Sequence, residues 1–293
     1  MSAVLAPSEA VFTPGIDYDL PADVYHRIEA LSAGGAKKLL QSPAHFRLSR
    51  EKPSAPTAEM QIGTAIHTGL LEPHLFASTV LRTPTDAPKR PSSTQINAAK
   101  PSQATLDAIE WWTQYNASTA GKLVFDAETH DRIQNAIQAV LDHPGASRLL
   151  AHGRPEVTMQ WVDGKYGIPC KSRTDWQRND GGKVDLKSTA DASPDAAMRA
   201  IGSFGYHTQA AHYWAGDEAV LGASPAFWAF VFVETTEPFG VGAYVLEHAA
   251  IRAGMAKMDR AARLYAECMK TGKFPAYSDL IEPINAPRWA LIN

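Results

Sequence analysis

Apolar and polar positions change their period along the chain. Up to about residue 151 the apolar residues recur at helical spacing, and over the next three segments they alternate. Ser32 stands where a side chain can cap a helix running to about Gln41, with Lys37 and Lys38 on its exposed side. In "SPAHFRLSR" the helix restarts, with Ser42 as cap and Pro43 at the first helical position, where its missing N–H costs nothing. "EMQIGTAIHTGLLEP" predicts a helix ended by Pro73, and "PHLFAS" a further turn. Two helices are expected over about 104–117 and 127–142, then a short one to about Ala151, whereas residues 1–31 read as irregular.

"PEVTMQWVD", "YGIPCKSRTDW" and "KVDLKST" then read as three antiparallel strands joined by the turns "GK" and "QRNDGG". "SPDAAMRAI", capped by Ser193, and "YHTQAAHYWAGDEAVLG" are helices. "AFWAFVFVET" is continuously apolar, as a strand buried on both faces must be, and "GVGAYVLEH" pairs with it ahead of a helix over 248–272. The helical stretch between the strands at 183–189 and 226–235 is long enough for a crossover. The expected class is α/β, with a central mixed sheet flanked by helices and an N-terminal helical extension.

A chain of 293 residues can bury one large core. We divide it into a lead-in (1–31) and one domain (32–293). That domain comprises a helical part (32–151), a core (152–272) and a tail (273–293). Net charge is −3, so composition carries no basic signature of a nucleic-acid binder, and such a function needs local clusters of Lys and Arg. Residues 83–103 hold one cluster, with Lys89, Arg90 and Lys100 among Pro, Ser and Thr. This segment is either a mobile surface loop or a basic flap over a nucleic-acid groove. No stretch approaches the roughly 18 apolar residues of a membrane span, and "MSAVLAPSEAVFTPG" lacks the features of a secretory signal, so a cytoplasmic protein with no membrane partner is expected. Cys170 and Cys268 are too few for an iron–sulfur cluster or a usual structural zinc site, and read as buried free thiols.

Chemistry concentrates at "KVDLKST". Side chains alternate along a strand, so Asp185 and Lys187 share a face while Leu186 points to the core. The "QRNDGG" turn folds the preceding strand back and brings Asp175 near Asp185, so two carboxylates and an ammonium converge. That set suits Mg²⁺, which takes oxygen ligands, and metal-assisted phosphodiester hydrolysis. The same acid-x-Lys spacing at Asp163-Gly164-Lys165 falls in a turn with no second acid and reads as solvated charge.

Asp175 followed ten residues later by Asp185-x-Lys187 resembles the PD-(D/E)XK nuclease core. "GTAIH" with His67, "PEVTMQW" with Glu156, "KSRTDW" with Asp175, and "QAAHY" with Gln209 and Tyr213 occur in the order of its RecB/RecE branch. "YHRIEALSAGGAKKLLQSPAHFR" and "YGIPCKSRTDW" look like the exonuclease VIII (RecE) type in particular, and the likeness runs from about Tyr18 to Met269.

The resemblance implies a restriction-endonuclease-like fold and a Mg²⁺-dependent nuclease, with Mn²⁺ as a substitute. Such an enzyme degrades one strand of linear duplex DNA 5′ to 3′, leaving 3′ overhangs for a RecT-type annealing partner, and works as a ring-shaped homo-oligomer. It assigns Asp175, Asp185, His67 and the Leu186 carbonyl as metal ligands, Lys187 to the attacking water, and Gln209 and Tyr213 to orienting the strand or the site. Glu156 stays open between a ligand to a second metal, an acid behind the ligands and an exposed strand residue. Lys171, Arg173 and Arg178 are candidate phosphate contacts, or else a solvated strand face. Rival readings are an endonuclease or single-strand-specific nuclease of the same fold, and a catalytically silent DNA-binding module.

Overall fold

Side-chain caps start several of the helices where the local pattern places them. The computed structural model describes residues 10–52 and 54–286, so 1–9 of the lead-in, Pro53 in the "EKPSAPTA" loop and 287–293 of the tail lie outside the described residues. A short strand, β1 (Gly15–Asp17), and a six-residue helix, α1 (Ala22–Arg27), come first. They are followed by α2 (Ala33–Gln41) and α3 (Pro43–Glu51), where Ser32 Oγ accepts from Gly35 N–H at 3.2 Å and Ser42 Oγ from His45 N–H at 3.3 Å. Thr57 caps α4 (Ala58–Leu71), and α5 (Pro73–Thr79) begins on the proline that cannot prolong the preceding ladder. An excursion through β2 (Val80–Arg82), α6 (Ser93–Ile96), α7 (Gln103–Ser118) and β3 (Leu123–Phe125) is closed by parallel pairing of β2 with β3. Helices α8 (Ala127–Asp142) and α9 (Pro144–Leu149) complete the helical part.

The core runs β4 (Gly153–Val162), β5 (Pro169–Arg178), β6 (Lys183–Thr189), α10 (Pro194–Ser203), α11 (Tyr206–Leu221), β7 (Trp228–Glu234), β8 (Val241–Val245) and α12 (His248–Thr271). One six-stranded sheet takes the order β1-β4-β5-β6-β7-β8. Within this sheet β6 and β7 pair in parallel, joined by the α10–α11 crossover, and the other neighbours pair antiparallel. The fold is therefore the mixed α/β arrangement that the pattern predicts.

Strand β7 shows why its sequence is apolar throughout. Trp228, Phe230 and Phe232 pack toward α11 and α12, among Ala211, Trp214 and Tyr265. Ala229, Val231 and Val233 face the other way, toward Ile66 of α4 and Ile133 of α8. Each such large side chain removed from water contributes about 1.5–3 kcal/mol, which holds both helical layers on the sheet. Both cysteines are buried free thiols, and burial pushes Cys170 up to about 12. No described helix is long and apolar enough to cross a membrane.

Two regions differ from their expected form. The lead-in is not irregular throughout, because β1 pairs with β4 and α1 packs beside β5. A three-residue edge strand and a helix without a side-chain cap carry little local signal, and both depend on contacts distant in sequence. The 83–103 segment contains α6, which starts with a Ser92–Gln95 capping box. It is tied to α7, where Trp112 Nε1 donates to Pro88 O at 3.0 Å.

Candidate active site

Strands β5 and β6 pair only at Trp176–Val184 and Gln177–Lys183, next to the turn that joins them. Arg178 N–H donates to Gly182 O at 2.9 Å there, and Gly181 takes φ +82°, a conformation that favours glycine. Beyond those pairs the ladder stops, and Asp175 stands in the gap. Its Oδ2 accepts the Leu186 N–H at 2.9 Å, so a carboxylate takes the place of a strand carbonyl. The Leu186 carbonyl lies 3.0 Å from His67 Nε2. His67 comes from α4, which crosses β6 so closely that a methyl group on Gly63 would meet Ser188 Oγ at 2.8 Å.

Ligand atoms of His67, Glu156 and Asp175 all lie within 4.8 Å of one another. Glu156 reaches this point from a backbone with φ +53°, an uncommon conformation for a residue with a side chain. Its carboxylate is paired with the Arg173 guanidinium, which also donates to Leu20 O at 2.7 Å. Burial, and after it the charge of Asp185, pushes the Asp175 carboxyl up to about 7, against the pull of His67 and Lys187. Two carboxylates, a carbonyl and an imidazole form a donor set that suits a divalent metal. The residues present fit such an ion.

Asp185 stands apart from that trio. It is 1% exposed, its Oδ1 accepts from Gln209 Nε2 at 2.8 Å, and its Oδ2 is paired with the Lys187 ammonium. Burial by itself would lower Lys187, but Asp185 and Asp175 outweigh it and hold the ammonium above its ordinary value. Tyr213, four residues after Gln209, does not line the cleft. Its ring packs edge-on against Trp228 at 5.4 Å, and burial drives its hydroxyl well above the usual tyrosine range. It is buried in the core behind the cleft.

Three of the candidate phosphate contacts are committed elsewhere. Lys171 shares a strand face with Arg173 and Asp175 as expected, but α1 covers that end of the face. The Lys171 ammonium is buried, and donates to Tyr25 O at 2.6 Å and Ile28 O at 2.8 Å, closing the end of α1. Arg178 is bound to Asp180 and to the carbonyls of Arg148, Leu149 and Ala151, and so anchors a turn. Arg90 lies 3.8 Å over the Trp112 ring, and neither it nor the exposed Lys89 lines the cleft. Arg173 does line it. At Asp163-Gly164-Lys165 the carboxylate caps its own turn by accepting from Tyr166 N–H at 2.7 Å, and Lys165 is exposed and paired with Asp259, as a solvated turn requires.

Two features escaped the sequence reading. Tyr206 lies under the Lys187 ammonium at 4.6 Å and lines the cleft. The signal was available, since Tyr206 precedes Gln209 by one helical turn and so shares its face. The other is a buried ion pair, Lys183 with Asp217 at 2.8 Å, which joins β6 to α11. Nothing local distinguishes Lys183 from a strand-end charge.

The cleft has a volume of about 700 Å³ and is continuous with two grooves, one through Glu156 and Arg173, the other through Ser188 and Tyr206. It is an open trough rather than an enclosed cavity.

A split between β5 and β6 bearing an acid, with an acid-x-Lys triplet across it and a helix on each side, defines the PD-(D/E)XK class. The chain belongs to the family described as PDDEXK-like domain of unknown function (DUF3799), whose model matches residues 32–287. No curated protein matches the sequence. The fold is similar to that of a candidate exonuclease from Eubacterium rectale, with a TM-score of 0.55 and 12% identity over 92% of this chain and 97% of that one. A phage related exonuclease from Haemophilus somnus 129PT has a TM-score of 0.32 and 13% identity over 64% of this chain and 92% of that one, too remote to bear on the fold.

Proposed function

We propose that this chain is a divalent-metal-dependent deoxyribonuclease that degrades linear duplex DNA from its ends. The observation that carries the reading is the meeting of Asp175, Glu156, His67 and the Leu186 carbonyl beside the Asp185–Lys187 pair, in an open trough on a PDDEXK-like fold. Asp175, Glu156, His67 and the Leu186 carbonyl would hold the ion, with Asp185 adjoining. Mg²⁺ suits the oxygen donors, and Mn²⁺ would substitute. When bound, the ion supplies Lewis-acid stabilisation of the phosphate and lowers the pKa of a water at the site.

The chain's own residues do the rest. The neighbouring carboxylates hold Lys187 as an ammonium, and in that form it would orient the attacking water and face the charge growing on phosphate. Gln209 fixes the Asp185 carboxylate, which in turn fixes Lys187. Tyr206 lies against the same ammonium and limits where it can move.

The proposal includes 5′-to-3′ polarity, 3′ overhangs passed to a RecT-type annealing partner, and a ring-shaped homo-oligomer. The resemblance of the motif set to the RecB/RecE branch supports these parts.

The test is linear duplex DNA labelled at the 5′ or the 3′ end, incubated with protein and Mg²⁺ beside a closed circle, with EDTA and Lys187→Ala as controls. Early release of the 5′ label as mononucleotide, with circles intact and both controls inert, is the expected result. Cleavage of circles would replace the exonuclease by an endonuclease, and DNA binding without any cleavage would favour a silent binding module.

A further inference from the structure

A large aromatic side chain stands exposed beside the cleft. Phe204 is 55% exposed, yet its backbone is held firmly. Its N–H donates to Ala200 O at 2.9 Å at the end of α10, and Gly205, at φ +66°, turns the chain into α11. The Phe204 ring centroid lies 5.7 Å from that of Tyr206, whose ring meets the Lys187 ammonium. Both rings line a groove of about 880 Å³ that joins the cleft through Ser188 and Tyr206.

We propose that Phe204, with Tyr206 behind it, is a stacking platform for an unpaired nucleobase of the strand being cut, next to the scissile phosphate. This inference rests on the nuclease reading above. The division of charge supports a base over a phosphate in this groove. Glu59 and Asp126 line it against a single cation, Arg132, whose Nε is engaged with Thr235 O at 3.0 Å, so carboxylates outnumber cations there. At the Tyr206 end the balance reverses, with Lys187 Nζ 4.6 Å and Lys37 Nζ 5.9 Å from its ring. Phosphate therefore belongs at Lys187 and the uncharged base beyond it, on Phe204. A base inside a duplex already has both faces covered by its neighbours, so the platform serves a terminal or splayed nucleotide. Stacking tolerates any base, so the platform carries no sequence preference of its own.

The experiment uses the full chain carrying Lys187→Ala, which leaves DNA uncut, and duplexes with 5-iodouracil at single positions near a frayed end. Photo-crosslinking followed by peptide mapping should place the base next to the scissile position on Phe204 or Tyr206. In parallel, binding of a short single-stranded oligonucleotide should weaken about 10-fold in Phe204→Ala, the scale of one lost base–aromatic stack, and be retained in Phe204→Trp. Met198→Ala, also at an exposed apolar position of α10, should leave binding unchanged. Thermal denaturation should show all three folded, because neither side chain is part of the core. Crosslinks elsewhere, or wild-type affinity in Phe204→Ala, would overturn the platform while leaving the nuclease intact. Wild-type protein that neither binds nor cuts DNA would overturn both.

Discussion

Gln209 Nε2 donates to Asp185 Oδ1 at 2.8 Å from α11, while His67 reaches the next residue's carbonyl from α4 on the opposite face of the sheet. The strand bearing Lys187 is thus clasped from both sides. A lost hydrogen bond to a charged group costs about 1.5–3 kcal/mol. Gln209→Ala should therefore slow cleavage about 10- to 100-fold with little change in KM. Gln209→Glu should be worse, because it sets a like charge against Asp185. Steady-state kinetics on linear duplex DNA, with thermal denaturation alongside, checks both.

Lys187 has two separable roles. Lys187→Ala should abolish cleavage, on the scale of about 10²–10⁴-fold for a positioned proton-transfer or donor group. It also leaves a nearly inaccessible Asp185 carboxylate without its ammonium, so the metal-free protein should melt lower. Mg²⁺ should restore part of that loss of stability but none of the activity. Melting curves with EDTA and with Mg²⁺ make the comparison.

Asp175 makes the stability of the metal-free protein depend on pH. A carboxyl raised to about 7 keeps a proton in the folded state that the unfolded chain has already released. Between the ordinary carboxylate value of about 4 and about 7, stability therefore falls as pH rises. In EDTA, Asp175→Asn should remove most of this fall and melt above wild type at pH 8. The scale is about 2–4 °C for each kcal/mol in a protein of this size. Mg²⁺ affinity, which needs the deprotonated carboxylate, should rise through the same window. Scanning fluorimetry across pH reads the stability, and calorimetric titration the metal.

The buried Lys183–Asp217 pair predicts strong non-additivity. Lys183→Met alone strands a charge in the interior, at about 3–5 kcal/mol, whereas Lys183→Met with Asp217→Leu should be close to wild type. Denaturant midpoints of the two single variants and the double variant measure this directly.

Lys171 tests whether its ammonium meets DNA or α1. Lys171→Met should lower the melting temperature and expose residues 22–27 to faster amide exchange. The salt dependence of DNA binding should not change, because no phosphate contact is lost.

Caps, turns and periodicity act within a few residues, and where they decided an outcome the sequence was readable. Ser32, Ser42 and Ser193 each bond an N–H three residues on, and each was legible as a helix start. The Lys183–Thr189 strand, the tight turn before it and the parallel partner across a helical crossover were equally plain. So was the gathering of Asp175, Asp185 and Lys187, because a short turn fixes it. β1 and α1 were hidden, since three or six residues cannot announce a strand or helix whose stability comes from β4 and β5.

Alternation placed Lys171 on the right strand face but could not show that α1 covers that face, which turns a candidate phosphate contact into a buried clasp. The pattern identified two acids but not their division: Asp175 joins His67 and Glu156 because the β5–β6 ladder ends beside it, and Asp185 turns to Gln209 and Lys187 because α11 packs there. Tyr206, Phe204 and the Lys183–Asp217 pair likewise gain their roles from what the crossover brings against β6. The elements and the identity of the reactive residues were set by short-range chemistry written into the sequence. Their partners were decided only when helices and strands distant along the chain closed on one another, since desolvation and charge pairing depend on the finished neighbourhood.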